Sequence, residues 1–181
     1  MNLCLLNARS FNKKEQRLKD YIVDNDIDLA AFTETWLKPE DEENKMTIGD
    51  LCPTGYKFFH EAKVNKKGGG VGLLHKNIFN LQSQKTIKFS SFEHIELFLT
   101  SPSSIRLVII YRPPPSKENK LKVSLFLEEL QIFLEQQLTK SGTLLLLGDF
   151  NIHMEDLQDH DALRFKNLLE GFDLTQHVSY T

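Results

Sequence analysis

Short apolar segments separated by polar connections run along this chain, and such segments are typical of β-strands buried in a sheet. The strongest of them lie at residues 2–7, 27–33, 105–111 and 144–149. Between the first two, helical spacing predicts a helix over residues 12–25 that Ser10 caps. Its inner face is expected to consist of Leu18, Tyr21 and Ile22. The pattern therefore predicts a strand-helix-strand unit with parallel strands that end at one edge of a sheet.

Alternation of apolar and polar positions predicts further strands over residues 56–60, 71–75, 85–89 and 93–100. The first two form a hairpin through the flexible, glycine-rich turn at residues 66–70. The proline run at residues 113–115 prevents the strand that ends at Tyr111 from continuing. Near the end of the chain, Val178 is expected to enter a last strand.

Two more helices are predicted from apolar residues at helical spacing. The longer covers residues 120–138 and buries Val123, Leu127, Leu130, Phe133, Leu134 and Leu138. The shorter covers residues 161–170 and buries Leu163, Leu168 and Leu169. Many strands with a few interspersed helices favour an α/β fold in which two packed sheets are flanked by helices.

Length and composition indicate one domain over residues 1–181, in which 40% hydrophobic residues suffice for a sizeable core. No apolar run approaches the length of a membrane span, and the N-terminus lacks the features of a signal peptide, so no membrane partner is expected. Cys4 and Cys52 indicate neither a disulfide framework nor a zinc site. A reducing, intracellular compartment is therefore expected.

The charge of the chain does not by itself indicate a nucleic-acid binder. The formal net charge is −3, whereas binding to phosphate backbones normally leaves a basic footprint. The charge is unevenly placed, however, because residues 40–43 are all acidic and are expected in a surface loop. Lysines gather near other predicted loops: Lys63, Lys66, Lys67, Lys117, Lys120 and Lys122. Most such lysines are ordinary solvated side chains.

The strongest strands are followed directly by polar or hydroxyl-bearing side chains: Asn7, Glu34, Tyr111, Asp149 and Asn151. Taken alone, the Gly-Asp-Phe-Asn run at residues 148–151 is also typical of an ordinary turn. Because several strands deliver such residues, we expect them to share one crevice. Carboxylate and amide oxygens in a crevice suit hard metal ions and phosphate groups.

These residues lie in short motifs, which read LNARS at Asn7, TETWL at Glu34, YRPP at Tyr111 and GDFN at Asp149. As an ordered set, the motifs resemble those of the endonuclease/exonuclease/phosphatase superfamily. The residues in these motifs are similar to those in the endonuclease domain of non-LTR (LINE-type) retrotransposon polyproteins, a domain that itself resembles apurinic endonucleases. The resemblance implies a four-layer α/β sandwich of two mixed sheets flanked by helices. It also implies DNA as the partner and Mg²⁺ or Mn²⁺ as the cofactor.

Metal binding and catalysis are expected at the matched positions. Glu34 is expected to bind the metal directly, and Asn7 to offer its carbonyl oxygen to the metal or its amide to phosphate. The resemblance implies that Asp149 orients or deprotonates water. It also implies that Asn151 either hydrogen-bonds to phosphate or holds Asp149 in place.

For three neighbouring side chains, a structural role competes with a role in binding the substrate. Tyr111 is expected to donate its hydroxyl to a phosphate oxygen, although an aromatic at a strand end also suits simple packing. Arg112 is expected either to pair with phosphate or to hold the proline loop to a surface carboxylate. Trp36, the sole tryptophan, is expected in core or loop packing rather than in base stacking.

The superfamily pattern also includes a later aspartate on a strand and a terminal Ser-Asp-His motif, which residues 1–181 lack. The nearest match is Asp159 with His160, but Gln158 stands in place of the serine, so His160 is not expected to act as a catalytic base. The last strands are expected to be absent as well. On this interpretation the chain is a C-terminally truncated part of a polyprotein, with weak or no activity.

The leading functional interpretation is the DNA-nicking endonuclease portion of a retrotransposon protein, fused to a reverse transcriptase and acting with access to the nucleus. One alternative is a lipid-headgroup phosphodiesterase or phosphatase of the same superfamily, against which TETWL and YRPP argue. The other is a non-catalytic DNA- or protein-binding remnant. The sequence indicates neither oligomeric state nor target-site preference.

Overall fold

The computed structural model of the protein describes residues 1–38, 42–61, 68–85, 87–101, 103–117, 119–156 and 158–178. Their helices and strands are, in chain order, β1 (Leu3–Asn7), α1 (Glu15–Asp24), β2 (Leu29–Thr33), α2 (Glu42–Leu51), β3 (Tyr56–Glu61), β4 (Val71–Lys76), β5 (Leu81–Ser83), β6 (Glu93–Leu99), β7 (Ile105–Tyr111), α3 (Val123–Leu138), β8 (Thr143–Asp149) and α4 (His160–Gly171).

The strands form two four-stranded sheets, with the orders β1-β2-β4-β3 and β5-β6-β7-β8. Each sheet contains one parallel pair, β1 with β2 and β7 with β8, and its other neighbours are antiparallel. The parallel pairs are connected through α1 and α3, as a strand-helix-strand unit requires. In these pairs Asn7 lies beside Thr33 and Tyr111 lies beside Asp149. The two strands of each pair therefore end at the same level.

The sheets pack face to face around a core of aliphatic side chains from both, including Leu29, Leu73, Leu97, Leu107 and Ile109. A second apolar cluster fills the space between the first sheet and α1 and α2, and a third lies between the second sheet and α3 and α4. The layers therefore follow the order helices, sheet, sheet, helices. The predicted four-layer α/β sandwich is confirmed.

The predicted strand at residues 85–89 is not formed in its described part, and the strand predicted from Val178 onward lies almost wholly outside the described residues. In place of a strand at residues 85–89, the short strand β5 lies earlier, and Phe89 stacks on Phe92 with 4.7 Å between ring centroids. Ile87 is 53% exposed, so the segment places the Phe89 ring against the core but does not alternate between buried and exposed side chains as a strand would. Val178 is 65% exposed and lies in no strand, and the residues after it are outside the described part of the chain.

The start of α1 differs from the prediction. Ser10 has a φ of +77°, and its hydroxyl accepts a hydrogen bond from the backbone N–H of Asn12, so it closes a turn ahead of the helix instead of capping it. Within α1, Ile22 is buried as expected, whereas Tyr21 is 45% exposed. Of the acidic run expected in a loop, Glu42 and Glu43 instead lie in the first turn of α2, and residues 40 and 41 are outside the described part of the chain. Carboxylates there interact favourably with the helix dipole.

Most of the predicted inner faces of α3 and α4 are confirmed, since Leu127, Leu130, Phe133 and Leu134 are buried and Leu168 and Leu169 pack against the same cluster. Two predicted positions differ. Leu138 is 70% exposed and Leu163 is 42% exposed, while Phe126 and Phe165 are buried. The two phenylalanines contact each other, with 5.9 Å between ring centroids, because the large rings fill the space that the two helices share above the sheet. Within the described ranges, no helix has the length and hydropathy that crossing a bilayer requires.

The third apolar cluster borders a buried histidine. His94 lies among the rings of Phe89, Phe92 and Phe133, at centroid distances of 5.1 to 5.7 Å. Burial lowers the pKa of His94 from 6.5 to about 4; nearby Glu96 opposes this shift and Lys140 adds to it. The folded protein therefore holds this imidazole neutral at pH values where the unfolded chain protonates it.

Acidification should destabilise the protein in part through His94. Its contribution to stability is fully present above pH 6.5, the ordinary value, and is lost as the pH falls toward the folded value of about 4. Between pH 7.5 and pH 4.5 the wild type should lose about 2–3 kcal/mol more free energy of unfolding than His94→Leu does. Urea unfolding of both proteins at the two pH values measures this difference. Parallel pH dependence of the two would show that His94 does not titrate across this range.

Candidate active site

The carboxyl ends of the two parallel strand pairs meet at one edge of the sandwich, and an asparagine joins them. The Asn7 side chain, at the end of β1, donates from Nδ2 to Glu34 Oε1 at 2.9 Å and to Asp149 Oδ2 at 2.7 Å. Glu34 follows β2 and Asp149 ends β8, so one amide bridges carboxylates from both sheets. None of the three side chains is buried, which leaves the cluster open to solvent.

The loop that carries Asn7 is fastened to the loop that carries Glu34. The backbone N–H of Ser10 donates to the Glu34 carbonyl at 2.8 Å, and that of Phe11 donates to the Thr35 carbonyl at 3.2 Å. Asn7 Oδ1 accepts the backbone N–H of Arg9 at 3.1 Å. A carbonyl oxygen has two lone pairs, so Oδ1 keeps one for another partner.

Backbone strain is concentrated around this cluster. Positive φ angles of +45° to +77° occur at the non-glycine residues Arg9, Ser10, Glu34, Trp36 and Asn151. Each such conformation costs on the order of 1–3 kcal/mol and persists only where surrounding contacts enforce it. The strain places Glu34 off the end of β2 with its carboxylate turned toward Asn7.

A glycine pair that sequence reasoning treated only as a flexible turn supports the Glu34 loop. The carbonyls of Gly70 and Gly69 accept the backbone N–H groups of Thr35 and Trp36 at 3.2 and 2.9 Å. Gly70 N–H in turn donates to Glu93 Oε2 at 2.5 Å. A Cβ at Gly70 would lie 2.4 Å from Thr35 Oγ1, so only glycine fits. The run of consecutive glycines indicates an unusual backbone conformation, but it does not indicate which loop the glycines contact.

Tyr111 is close to the carboxylates but is not open to solvent. It is 5% exposed at the end of β7 and hydrogen-bonds with Glu34. Burial raises the pKa of Tyr111 first, and the negative charges of Glu34, Asp149 and Glu93 raise it further. The phenol is therefore protonated at neutral pH and acts as a donor that restrains Glu34.

Arg112 is not in the cleft. Its side chain is 1% exposed, and its Nη1 donates at 2.9 Å to the carbonyls of both Phe150 and Asn151. The guanidinium carbon lies 5.4 Å from the centre of the Phe126 ring. Among the described residues no carboxylate pairs with Arg112, and its buried Nε and Nη2 have no hydrogen-bond partner, so the expected pairing with phosphate stays a prediction. Arg112 holds the loop that follows β8.

Asn151 also donates a hydrogen bond to Arg112, so the two residues are joined in both directions. Its Nδ2 donates to the Arg112 carbonyl at 2.7 Å, and its backbone N–H donates to Asp149 Oδ1 at 3.3 Å. Of the two expected roles, these contacts correspond to holding Asp149 in place. The amide nitrogen is engaged with the main chain and is not directed at a substrate.

No histidine in the described ranges hydrogen-bonds to Asn7, Glu34 or Asp149. His160 is the exposed first residue of α4, and Asp159 caps that helix by accepting the N–H groups of Asp161 and Ala162. His153 is exposed and contacts Glu155 at 3.1 Å. His60 and His75 are stacked on Phe58 and Phe59. Asp159 with His160 therefore forms a helix start and does not join Asn7, Glu34 and Asp149.

The donor set is compatible with a hard divalent cation. In the described ranges, no group of three His, Cys, Asp or Glu side chains is spaced to hold a metal ion. Magnesium, however, is commonly held by only one or two carboxylates together with water and substrate phosphate. Glu34 Oε1 and Asp149 Oδ2 share one hydrogen-bonding partner, so two carboxylates and the Asn7 carbonyl oxygen lie within reach of one hydrated ion.

The four layers and the cluster of carboxylates and an amide at the strand ends define an α/β-sandwich hydrolase of the nuclease and phosphatase kind. Residues 2–180 match the model of the Endonuclease/Exonuclease/phosphatase family, and the chain belongs to that family. No match was found among curated proteins.

Several solved structures share the fold. The chain is similar to the endonuclease domain of TRAS1, a telomere-specific non-LTR retrotransposon, with 12% identity and a TM-score of 0.66 over 94% of this chain and 69% of that one. It is also similar to the AP endonuclease LMAP from Leishmania major, with 14% identity and a TM-score of 0.67 over 93% and 65%. The 3'-5' exonuclease NExo from Neisseria meningitidis shows 17% identity and a TM-score of 0.61 over 94% and 71%. At these identities the likeness establishes the fold.

Proposed function

We propose that this chain hydrolyses phosphodiester bonds in DNA with the aid of Mg²⁺ or Mn²⁺, as the nicking endonuclease of a non-LTR retrotransposon protein. The observation that carries the proposal is the Asn7 amide hydrogen-bonded to carboxylates from both sheets. Two carboxylates held this close repel each other unless a donor or a cation lies between them. Such a site is suited to a cation and to the phosphate that accompanies it.

Glu34 and the free lone pair of Asn7 Oδ1 are the groups that would hold the ion. When bound, a divalent cation neutralises charge that develops on the phosphate oxygens. Asp149 is fixed by Asn7 at one oxygen and by the backbone of Asn151 at the other. A carboxylate fixed in this way can orient a water molecule and accept its proton.

DNA is the proposed substrate because of the kinds of protein that share the fold. The solved structures named above are described as endonucleases or an exonuclease, and a related NExo structure is bound to a product DNA hairpin. In this chain Arg9 is exposed on the loop that follows Asn7, where a cation suits the DNA backbone. Fusion to a reverse transcriptase and access to the nucleus belong to the same proposal.

Nicking of supercoiled plasmid tests this function. In contrast to the weak or absent activity expected from the missing terminal motif, the purified chain should convert supercoiled to open-circular DNA in Mg²⁺ or Mn²⁺ but not in excess chelator. Asp149→Asn should slow nicking by about 10²-fold or more, because general-base assistance typically contributes 10²–10⁴-fold. Asp50→Asn is the matched control, since this aspartate is exposed on α2. It should leave the rate unchanged.

The same preparations should be assayed on inositol polyphosphates and phosphoinositide vesicles. Phosphate release from those substrates without plasmid nicking would favour the lipid-headgroup alternative. A folded protein that binds DNA but cleaves neither substrate would favour the non-catalytic alternative. Nicking that persists in chelator would contradict the role of the metal.

A further inference from the structure

We infer that Trp36 provides a stacking surface for an unpaired DNA base beside the phosphate to be cleaved. The inference rests on the proposed function, and it adds a preference for DNA whose bases are accessible. Sequence reasoning assigned this tryptophan to core or loop packing, but the side chain is 50% exposed.

Trp36 lies next to the proposed site. Trp36 is two positions after Glu34, so the two Cα atoms are at most about 7 Å apart. Its neighbours Thr35 and Leu37 are 1% and 6% exposed. The segment is therefore anchored on both sides of a side chain that points outward. A nucleotide whose phosphate reaches Glu34 can place its own base, or the next one, against the indole.

The indole is also held in place. Trp36 has a φ of +57°, a conformation that costs a non-glycine residue free energy. Its backbone N–H is bonded to the Gly69 carbonyl at 2.9 Å. A Cβ added to Gly68 would lie 3.6 Å from the indole Nε1, so the edge of the ring rests against that glycine backbone. A fixed aromatic ring loses little conformational entropy when a base stacks on it.

Exposure alone does not distinguish Trp36, since Ile78 and Met46 are 78% and 73% exposed. Those side chains are aliphatic, and Ile78 follows the end of β4 that is opposite to Gly70. Trp36 differs in having an aromatic face, a strained and bonded backbone, and a position beside Glu34. Base faces inside a duplex are covered by their neighbours, so the partner must be single-stranded, frayed or extruded DNA.

Fluorescence of this sole tryptophan provides a direct test. The full chain is titrated in chelator with a fluorescein-labelled single-stranded oligonucleotide, and binding is followed independently by anisotropy of the label. Indole emission should fall in parallel with binding, and a blunt duplex of the same length should quench it less at equal saturation. Saturated binding without quenching would overturn the stacking inference and leave the proposed function standing. Absence of any binding would overturn both.

Three variants separate stacking from packing. Trp36→Leu keeps apolar bulk but removes the ring, and it should weaken binding of the single strand by about tenfold. Trp36→Phe keeps a ring and should retain most of the affinity. Ile78→Ala is the exposed control at the far end of β4 and should bind like wild type. Circular dichroism checks that each variant is folded. Equal affinities for Trp36→Leu and Ile78→Ala would refute the inference.

Discussion

Glu34→Gln should reduce metal-dependent nicking by about 10²–10³-fold, because the ligand charge contributes several kcal/mol of charge stabilisation through the cation. The substitution preserves the shape of the side chain and an oxygen that can accept from Asn7 Nδ2. It removes only the negative charge and changes one oxygen to a nitrogen. Single-turnover nicking across a range of Mg²⁺ and Mn²⁺ concentrations measures the effect.

The control for this variant is Glu128→Gln, which removes a carboxylate from the exposed face of α3. It should nick at the wild-type rate and require the same metal concentration. The thermal midpoints of both variants separate lost chemistry from lost folding. Unchanged nicking by folded Glu34→Gln at every metal concentration would exclude Glu34 as the principal metal ligand.

Arg112→Ala should destabilise the fold by about 3–5 kcal/mol, because it removes hydrogen bonds from a charged donor to two carbonyls and leaves a cavity where the side chain was. The carbonyls of Phe150 and Asn151 would lose their donor, and the ring of Phe126 would lose the guanidinium packed against it. For a protein of this size, the thermal midpoint should fall by roughly 6–15 °C. Arg112→Lys should recover part of the loss, because an ammonium can donate to the carbonyls but lacks the planar guanidinium that packs on the Phe126 ring.

Arg164→Ala is the matched control, since this arginine on α4 is 42% exposed and pairs with Asp161 at 3.6 Å. A surface pair of this kind contributes about 0–1 kcal/mol. DNA binding by Arg112→Ala, measured at a temperature where the variant is folded, should stay close to wild type. A stable Arg112→Ala protein that has lost DNA affinity would restore the phosphate contact expected from the sequence.

The segments predicted best are those with many apolar residues in a row. The runs at residues 105–111 and 144–149 are almost wholly apolar, and each became a strand at nearly those bounds. The strand β5 has only three residues, and its pairing partner Leu97–Leu99 lies farther along the chain, so no local pattern could show it. Helix α2 contains few buried side chains, Asn44 and Leu51, and therefore lacked an apolar stripe to read.

The site residues were predicted because each follows an apolar strand, and parallel strands joined by a helix end at the same edge. That reasoning identified Asn7, Glu34 and Asp149. It contained no information on Glu93 or on the contact between Gly69–Gly70 and the Glu34 loop. Those contacts join β6, the start of β4 and the end of β2, and their atoms come within 3.2 Å only after the two sheets have formed and packed together.

By itself, the sequence determined most strands and helices in their order, although not α2 or β5. It also determined which sides of the elements are apolar and which polar residues follow the strands. Hydrophobic periodicity and chain connectivity are local properties, and they suffice for this. Only the tertiary structure decided the environments of two prominent side chains. Arg112 is enclosed because Phe126 of α3 and the carbonyls after β8 surround it, and Trp36 is exposed because the glycines before β4 hold its backbone outward. Solvent exposure of a side chain depends on neighbours far away in the chain, which no local pattern contains.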